Sequence, residues 1–253
     1  MEITDLPLEE HKDTEKAEKM EKSANESGVI IVCNKLKYTY PDGDKPVVGS
    51  ASFKAFPGET IAFVGPSGEG KTTLLRLILG LVDPDSGELT IETKDGNKIP
   101  VSECTRRFCS YVPQGNAIFS GTVADNLRIV RPEATDEEII DALKTADAWS
   151  FIKELPLGIH NEISEKGVNF SEGQVQRMSI ARAILRDAPI IVMDEATSAL
   201  DTATEETVLA NMMKAYPNRT RIITTHRPSM LKYCTRVYRI NESGSLTEDK
   251  IPD

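Results

Sequence analysis

Residues Gly65-Pro66-Ser67-Gly68-Glu69-Gly70-Lys71-Thr72-Thr73 restrict what this chain can become more than any other stretch. They follow a short apolar run, Thr60–Val64, and lead into helical spacing over Thr73–Leu79. Strand, glycine-rich loop and helix, in that order, form a cradle for an anion. Glycines let backbone N–H groups curl around phosphate oxygens where side chains would collide. A helix starting near Lys71 aims its positive end at the same anion. Lys71 adds a point charge suited to β- and γ-phosphates, and the Thr72 hydroxyl is placed to ligate Mg²⁺. The loop specifies a bound nucleotide but not the chemistry, because kinases, GTPases and motors all use it.

A second feature narrows the chemistry. Ile190-Ile191-Val192-Met193-Asp194-Glu195 is an apolar strand that ends in two carboxylates. A buried strand can deliver Asp194 to a Mg²⁺ shell, and the adjacent Glu195 can polarise a water for attack on the γ-phosphate.

The 253 residues suffice for one large domain, or a core with a subdomain. A formal net charge of −10 gives no general electrostatic footprint for nucleic acid. Half of that net charge lies in residues 1–28, where Glu2, Asp5, Glu9, Glu10, Asp13, Glu15, Glu18, Glu21 and Glu26 face only Lys12, Lys16, Lys19 and Lys22. That composition reads as a mobile linker, with Ile3 to Leu8 able to pack or to continue a helix. From Val29 the β-branched content rises. Val29–Tyr40 and Val47–Phe56 read as paired strands around the turn Pro41-Asp42-Gly43-Asp44, and Leu89–Thr93 and Phe108–Val112 as further strands. Helical spacing then marks Thr122–Ile129, Asp136–Ala146, Ala148–Leu155 and Ser171–Leu185. Strand character returns at Ile190–Met193, Arg221–Thr224 and Arg236–Ile240, with a helix at Thr204–Ala215. The expectation is an α/β core, residues 29–113 and 187–253, enclosing a helical subdomain at 114–186. No apolar run reaches the roughly 18–20 residues of a spanning helix. Cys33, Cys104, Cys109 and Cys234 lack metal-site spacing and read as reduced thiols.

Taken together, the chain resembles the ABC ATPases over residues 29–241. Asn169-Phe170-Ser171-Glu172-Gly173-Gln174 is similar to the family's signature motif, usually Leu-Ser-Gly-Gly-Gln, and Gln176 to Ala183 match the helix that follows it. Asp194-Glu195-Ala196-Thr197-Ser198-Ala199-Leu200-Asp201 resembles the second carboxylate motif running into the D-loop. Gln114, after Tyr111-Val112-Pro113, fits the Q-loop, His226 the switch histidine, and Tyr40 the aromatic that stacks on adenine. The resemblance implies a P-loop ATPase fold: a RecA-like mixed sheet, an antiparallel β subdomain and an inserted helical subdomain. It implies ATP and Mg²⁺ as cofactors, with Thr72, Gln114 and Asp194 at the metal and Glu195, His226 and Gln114 at the reaction. It also implies that Ser171, Glu172, Gly173 and Gln174 meet a nucleotide held by a second chain, so that two ATPase domains, alike or different, sandwich two ATP molecules.

Finer likenesses point to export. Ile118-Phe119-Ser120-Gly121-Thr122-Val123-Ala124-Asp125-Asn126-Leu127 resembles an exporter segment, and Ile163-Ser164-Glu165-Lys166-Gly167 resembles the exporter X-loop, which contacts membrane domains in the family. The implied partners are the transmembrane domains of an exporter, in the same polypeptide or another. The implied place is the cytoplasmic face of the cell membrane, with the isolated domain soluble. The long coiled-coil insertions of chromosome-maintenance relatives and the paired cassettes of translation factors are missing. A soluble regulatory or DNA-linked ABC ATPase is the alternative reading. Phe170 and Glu172 depart from the usual signature, and Glu172 is expected to point outward in the first turn of its helix.

Overall fold

The computed structural model describes residues 13–115, 118–163 and 170–251. Its first half runs α1 (Thr14–Ser27), β1 (Val29–Tyr38), β2 (Val48–Ala55), β3 (Thr60–Val64), α2 (Lys71–Ile78), β4 (Ser86–Thr93), β5 (Lys98–Pro100) and β6 (Cys109–Val112). A central stretch follows, with β7 (Gly121–Thr122), α3 (Val123–Arg128), α4 (Asp136–Thr145), α5 (Trp149–Ile152), β8 (Glu162–Ile163) and α6 (Glu172–Leu185). The last part is β9 (Ile190–Asp194), α7 (Thr202–Ala215), β10 (Thr220–Thr224), α8 (Pro228–Leu231), β11 (Arg236–Ile240) and β12 (Leu246–Asp249).

Three strands, β3, β9 and β10, are buried at every position. Such strands belong inside a sheet covered on both faces. They lie side by side in a six-stranded sheet of order β12-β11-β3-β10-β9-β6, parallel throughout except for β12. Alternation along each strand divides the interior in two. Ile61, Phe63, Ile190, Val192 and Ile222 face a core shared with α2 and the antiparallel sheet. Ala62, Val64, Ile191, Met193 and Ile223 face the core built by α3, α4, α6 and α7. The antiparallel sheet has order β2-β1-β4-β5. The α/β core with an antiparallel β subdomain and a helical insertion is therefore as expected. Short elements escaped the sequence reading: β5, β7, β8, α8 and β12 have too few residues to display a period.

The linker expectation for residues 1–28 needs correction. Thr14–Ser27 forms α1, which buries Ala17, Met20 and Ala24 against β4 and the 3-10 turn Glu103–Phe108. The 3–4 spacing of those three residues is an apolar stripe, narrow enough to be outweighed by the charged composition around it. Arg107 pairs with Glu18 at 3.5 Å and Glu21 at 3.2 Å across the seam. These pairs are solvent-exposed and contribute at most about 1 kcal/mol each, so the apolar stripe holds the helix. Residues 1–12, with Ile3 to Leu8, lie outside the described residues.

Met20 is 1% exposed at the centre of that seam. Met20→Ala is expected to lower the urea unfolding free energy by about 2 kcal/mol while leaving ATP binding intact. An unchanged urea midpoint would show that α1 is not docked in solution.

Candidate functional site

β3 ends at Val64, and the chain must turn at once. Gly65 has φ +150°, and a Cβ there would sit 2.8 Å from the Ile240 carbonyl oxygen; at Gly70, with φ +91°, it would sit 2.7 Å from that of Val47. Both positions therefore exclude a side chain, and α2 begins at Lys71 directly beneath the loop. Lys71 is 7% exposed, and its Nζ donates to the Gly65 and Pro66 carbonyls at 2.8 Å each. Among the described residues no carboxylate pairs with it. Pro66, Ser67 and Gly68 form the exposed crest, and Glu69 turns back toward Gly65 with its Oε2 buried and lacking a protein partner. Thr72 is half-buried; Thr73 is buried, and its hydroxyl lies 3.0 Å from that of Tyr40. Arg76 Nη1 donates to the same Tyr40 hydroxyl at 3.1 Å. Tyr40 thus borders the phosphate loop along one flank of α2.

Across the sheet, Asp194 closes β9 at 2% exposure. Its Oδ1 accepts from Thr224 Oγ1 at 2.6 Å, and the same Thr224 oxygen accepts from the Glu195 N–H at 2.9 Å. Glu195 itself takes φ +47°, a left-handed backbone that costs a non-glycine residue about 1–2 kcal/mol. That turn parts the two carboxylates. Glu195 Oε2 accepts from Gln114 Nε2 at 3.0 Å, and its Oε1 lies 3.8 Å from His226 Nδ1. The structure therefore brings Glu195, Gln114 and His226 together. It adds two residues that sequence reasoning assigned no role. Thr224 is one. Tyr111 is the other: burial, and then the charge of Asp194, hold its hydroxyl above the usual tyrosine range.

A second surface forms at the start of α6. Ser171 caps it, with Oγ accepting from the Gln174 N–H at 3.3 Å while Gln174 Oε1 accepts from the Ser171 N–H at 2.9 Å. The cap leaves the N–H groups of Glu172 and Gly173 at the first turn for an anion. Gly173 must be glycine, since a Cβ would lie 2.9 Å from the Ala199 carbonyl. Ser171, Glu172, Gly173, Ala199, Leu200 and Asp201 thereby share one depression of about 380 Å³, whose lining holds none of residues 65–73. Glu172 is exposed. Asp201 caps α7, its carboxylate accepting from the N–H and hydroxyl of Thr204. Beneath the cap, the Phe170 ring meets Phe151 at 5.7 Å, and Arg177 lies over Phe151 at 4.8 Å. Asn169 and the stretch Ser164-Glu165-Lys166-Gly167 lie outside the described residues.

The residues fit a magnesium nucleotide. Asp194 is a buried carboxylate with no cation beside it among the described residues, and Lys71 is a buried cation bonded only to carbonyls. No group of three or more His, Cys, Asp or Glu side chains suited to a metal exists among the described residues. One carboxylate (Asp194), one hydroxyl (Thr72) and one amide (Gln114) are oxygen donors of the kind Mg²⁺ accepts, with its other ligands left to water and phosphate.

Comparison with known proteins agrees with this chemistry. Residues 48–198 match the family model described as ABC transporter. An ATP-dependent lipid A-core flippase of Methylobacillus flagellatus is 40% identical over 224 residues, 86% of this chain and 38% of the flippase. A Staphylococcus aureus protein named for multidrug export, an ATP-binding/permease protein, is 40% identical over 215 residues, 84% of this chain and 36% of its own. A solved bacterial Atm1-family ABC exporter with ATP bound superposes with a TM-score of 0.79 at 33% identity, covering 88% of this chain and 38% of that one. The chain thus spans under two fifths of the length of these relatives.

Thr224→Val keeps the shape of the side chain and removes its hydrogen bonds to the Asp194 carboxylate and from the Glu195 N–H. It is expected to lower the ATP turnover number about tenfold to a hundredfold, with ATP affinity changed by less than about tenfold. Steady-state turnover with equilibrium nucleotide binding checks this; wild-type turnover would remove Thr224 from the site.

Proposed function

This chain belongs to the ABC transporter family, and from that membership we propose that it is the ATP-hydrolysing motor of an exporter, closing head-to-tail with a second such domain around two Mg-ATP. The observation that carries the reading is the division of labour within one chain. Lys71, Asp194, Glu195, Gln114 and His226 surround the carboxyl ends of the parallel strands, where open α/β sheets bind ligands. The donors at the start of α6 line a separate depression. The phosphate loop and these donors lie on separate surfaces of one chain, and two chains in opposite orientation would complete each other's sites.

Within such a site the loop amides and Lys71 hold the β- and γ-phosphates, and Tyr40 offers its ring to adenine. Thr72, Gln114 and Asp194 would hold Mg²⁺, which would supply charge neutralisation for the phosphates. Glu195 orients and polarises the attacking water, with its carboxylate aimed by Gln114 and His226. Ser171 and Gly173 give their donors to the γ-phosphate of the partner chain's nucleotide. Export is favoured by the relatives, which are named for flipping lipid A-core and for multidrug export. No helix among the described residues is long and apolar enough to cross a membrane. The membrane path is therefore assigned to transmembrane domains that this domain drives from the cytoplasmic face.

Glu195→Gln is expected to keep ATP affinity while cutting turnover about 10²-fold or more, leaving an ATP-dependent dimer visible by gel filtration. Near wild-type hydrolysis would remove Glu195 from its role. Separately, a Lys71→Ala chain and a Ser171→Ala chain, each inactive alone, should recover activity on mixing, because both lesions can fall in one site and leave the other intact. Failure to recover, together with activity per chain that is flat on dilution, would show that one chain suffices.

A further inference from the structure

The D-loop, Ser198 to Asp201, has its inward polar groups held by side chains that arrive from opposite sides. From α6, Gln176, 1% exposed, accepts from the Ala199 N–H at 2.9 Å and donates to Ser198 Oγ at 3.4 Å. From the loop after β10, Arg227 donates to the Leu200 carbonyl at 2.6 Å and to the Ser198 carbonyl at 2.8 Å. Arg227 is in turn fixed by Glu205 in the first turn of α7, 3.5 Å away and fully buried, whose other oxygen accepts from Ser229 Oγ at 2.9 Å. A buried carboxylate is stabilised only by paired and hydrogen-bonded partners, and this one has both, Arg227 in the loop and Ser229 at the start of α8. Arg227 is the residue after His226, which faces Glu195. The Ala199 carbonyl lies against Gly173.

A continuous set of hydrogen bonds and close contacts therefore runs from the loop that carries His226, through the two carbonyls grasped by Arg227, to the surface of Ser171 and Gly173. On the two-chain reading above, on which this inference rests, the first end serves a chain's own nucleotide and the second serves its partner's. We propose that Arg227, anchored by Glu205, is a positioning residue that couples the two composite sites by tying the D-loop to the loop of His226. A guanidinium suits the task because its planar fork reaches two carbonyls and a carboxylate at once. An Arg227 that acted only on its own neighbour His226 would affect only the nucleotide of its own chain.

Mixed dimers separate these possibilities. In a pair made from a Lys71→Ala chain and a Ser171→Ala chain, the one intact site uses the nucleotide of the Ser171→Ala chain and the signature surface of the Lys71→Ala chain. Arg227→Ala is placed in the Lys71→Ala chain, where its own hydrolytic site is already inactive. The expected result is a fall in ATPase activity of the mixture of about fivefold or more, with the KM for ATP within about threefold. Arg227→Lys in the same place should restore part of the rate, and the thermal unfolding midpoint of each chain verifies that it is folded. An unchanged rate with Arg227→Ala in this chain, alongside a reduced rate with the substitution in the Ser171→Ala chain, overturns the proposal by making the role local. A mixture inactive before Arg227 is altered overturns the two-chain reading, and the inference with it.

Discussion

The hydroxyl of Thr224 bonds Asp194 on one side and the backbone of Glu195 on the other, and the geometry of the hydrolytic site rests on it. Strands β3 and β9 are apolar on both faces, so hydrophobic patterning alone fixes their register against β10 only weakly. A slip of either by one residue would exchange one apolar face for another. The polar ends settle the matter. Register pairs Phe63 with Thr224 and Thr224 with Asp194, while Val112 pairs with Met193. The strands that lead to Gly65, Glu195 and Gln114 consequently finish level, and the hydroxyl sits within reach of both carboxylate residues. The left-handed turn at Glu195 then becomes tolerable, because its N–H is held by Thr224 and its side chain by Gln114.

Two buried charges give the site its chemical bias. An isolated ionised group in a protein interior costs several kcal/mol after relaxation, and neither Asp194 nor Lys71 has an ion-pair partner among the described residues. Their remaining hydrogen bonds, to Thr224 and to two loop carbonyls, offset part of that cost. A magnesium nucleotide supplies the missing opposite charge to each. Binding energy is thereby coupled to stability: a ligand at a hundred times its Kd adds about 2.7 kcal/mol to the folded state.

Much of this was legible in the sequence, for reasons that differ from residue to residue. The phosphate loop could be read because glycines at fixed spacing answer to steric demands at Gly65 and Gly70. The carboxylates could be read because a fully apolar strand that delivers Asp194 and Glu195 to its end places negative charge where only a cation or a polar ligand offsets the loss of water. Thr224 could not be read, since a threonine at a strand end is ordinary until its neighbours in the sheet are known. Gln176 and Arg227 were hidden for the same reason: their partners lie 23 and 27 residues away along the chain. The helix α1 was misread because composition outweighed a stripe of Ala17, Met20 and Ala24. Local physics was visible, and contacts between distant segments were not.

The two departures in the signature follow from the same distinction. Phe170 stands where leucine is usual, and its larger ring is accommodated by Phe151, itself covered by Arg177, which donates to the carbonyl and carboxylate of Asp147. Aromatic pairs of this kind contribute about 0.5–1.5 kcal/mol beyond simple burial. Glu172 places a carboxylate at the first turn of α6, where the helix dipole favours it by about 0.3–1 kcal/mol. Turned toward a triphosphate about 6 Å away, the same charge would meet about 3 kcal/mol of repulsion per unit charge at an effective dielectric near 20. The exposed position of Glu172 permits the first arrangement, and the magnitudes favour it. A Glu172 side chain directed to solvent leaves the N–H groups of this turn free.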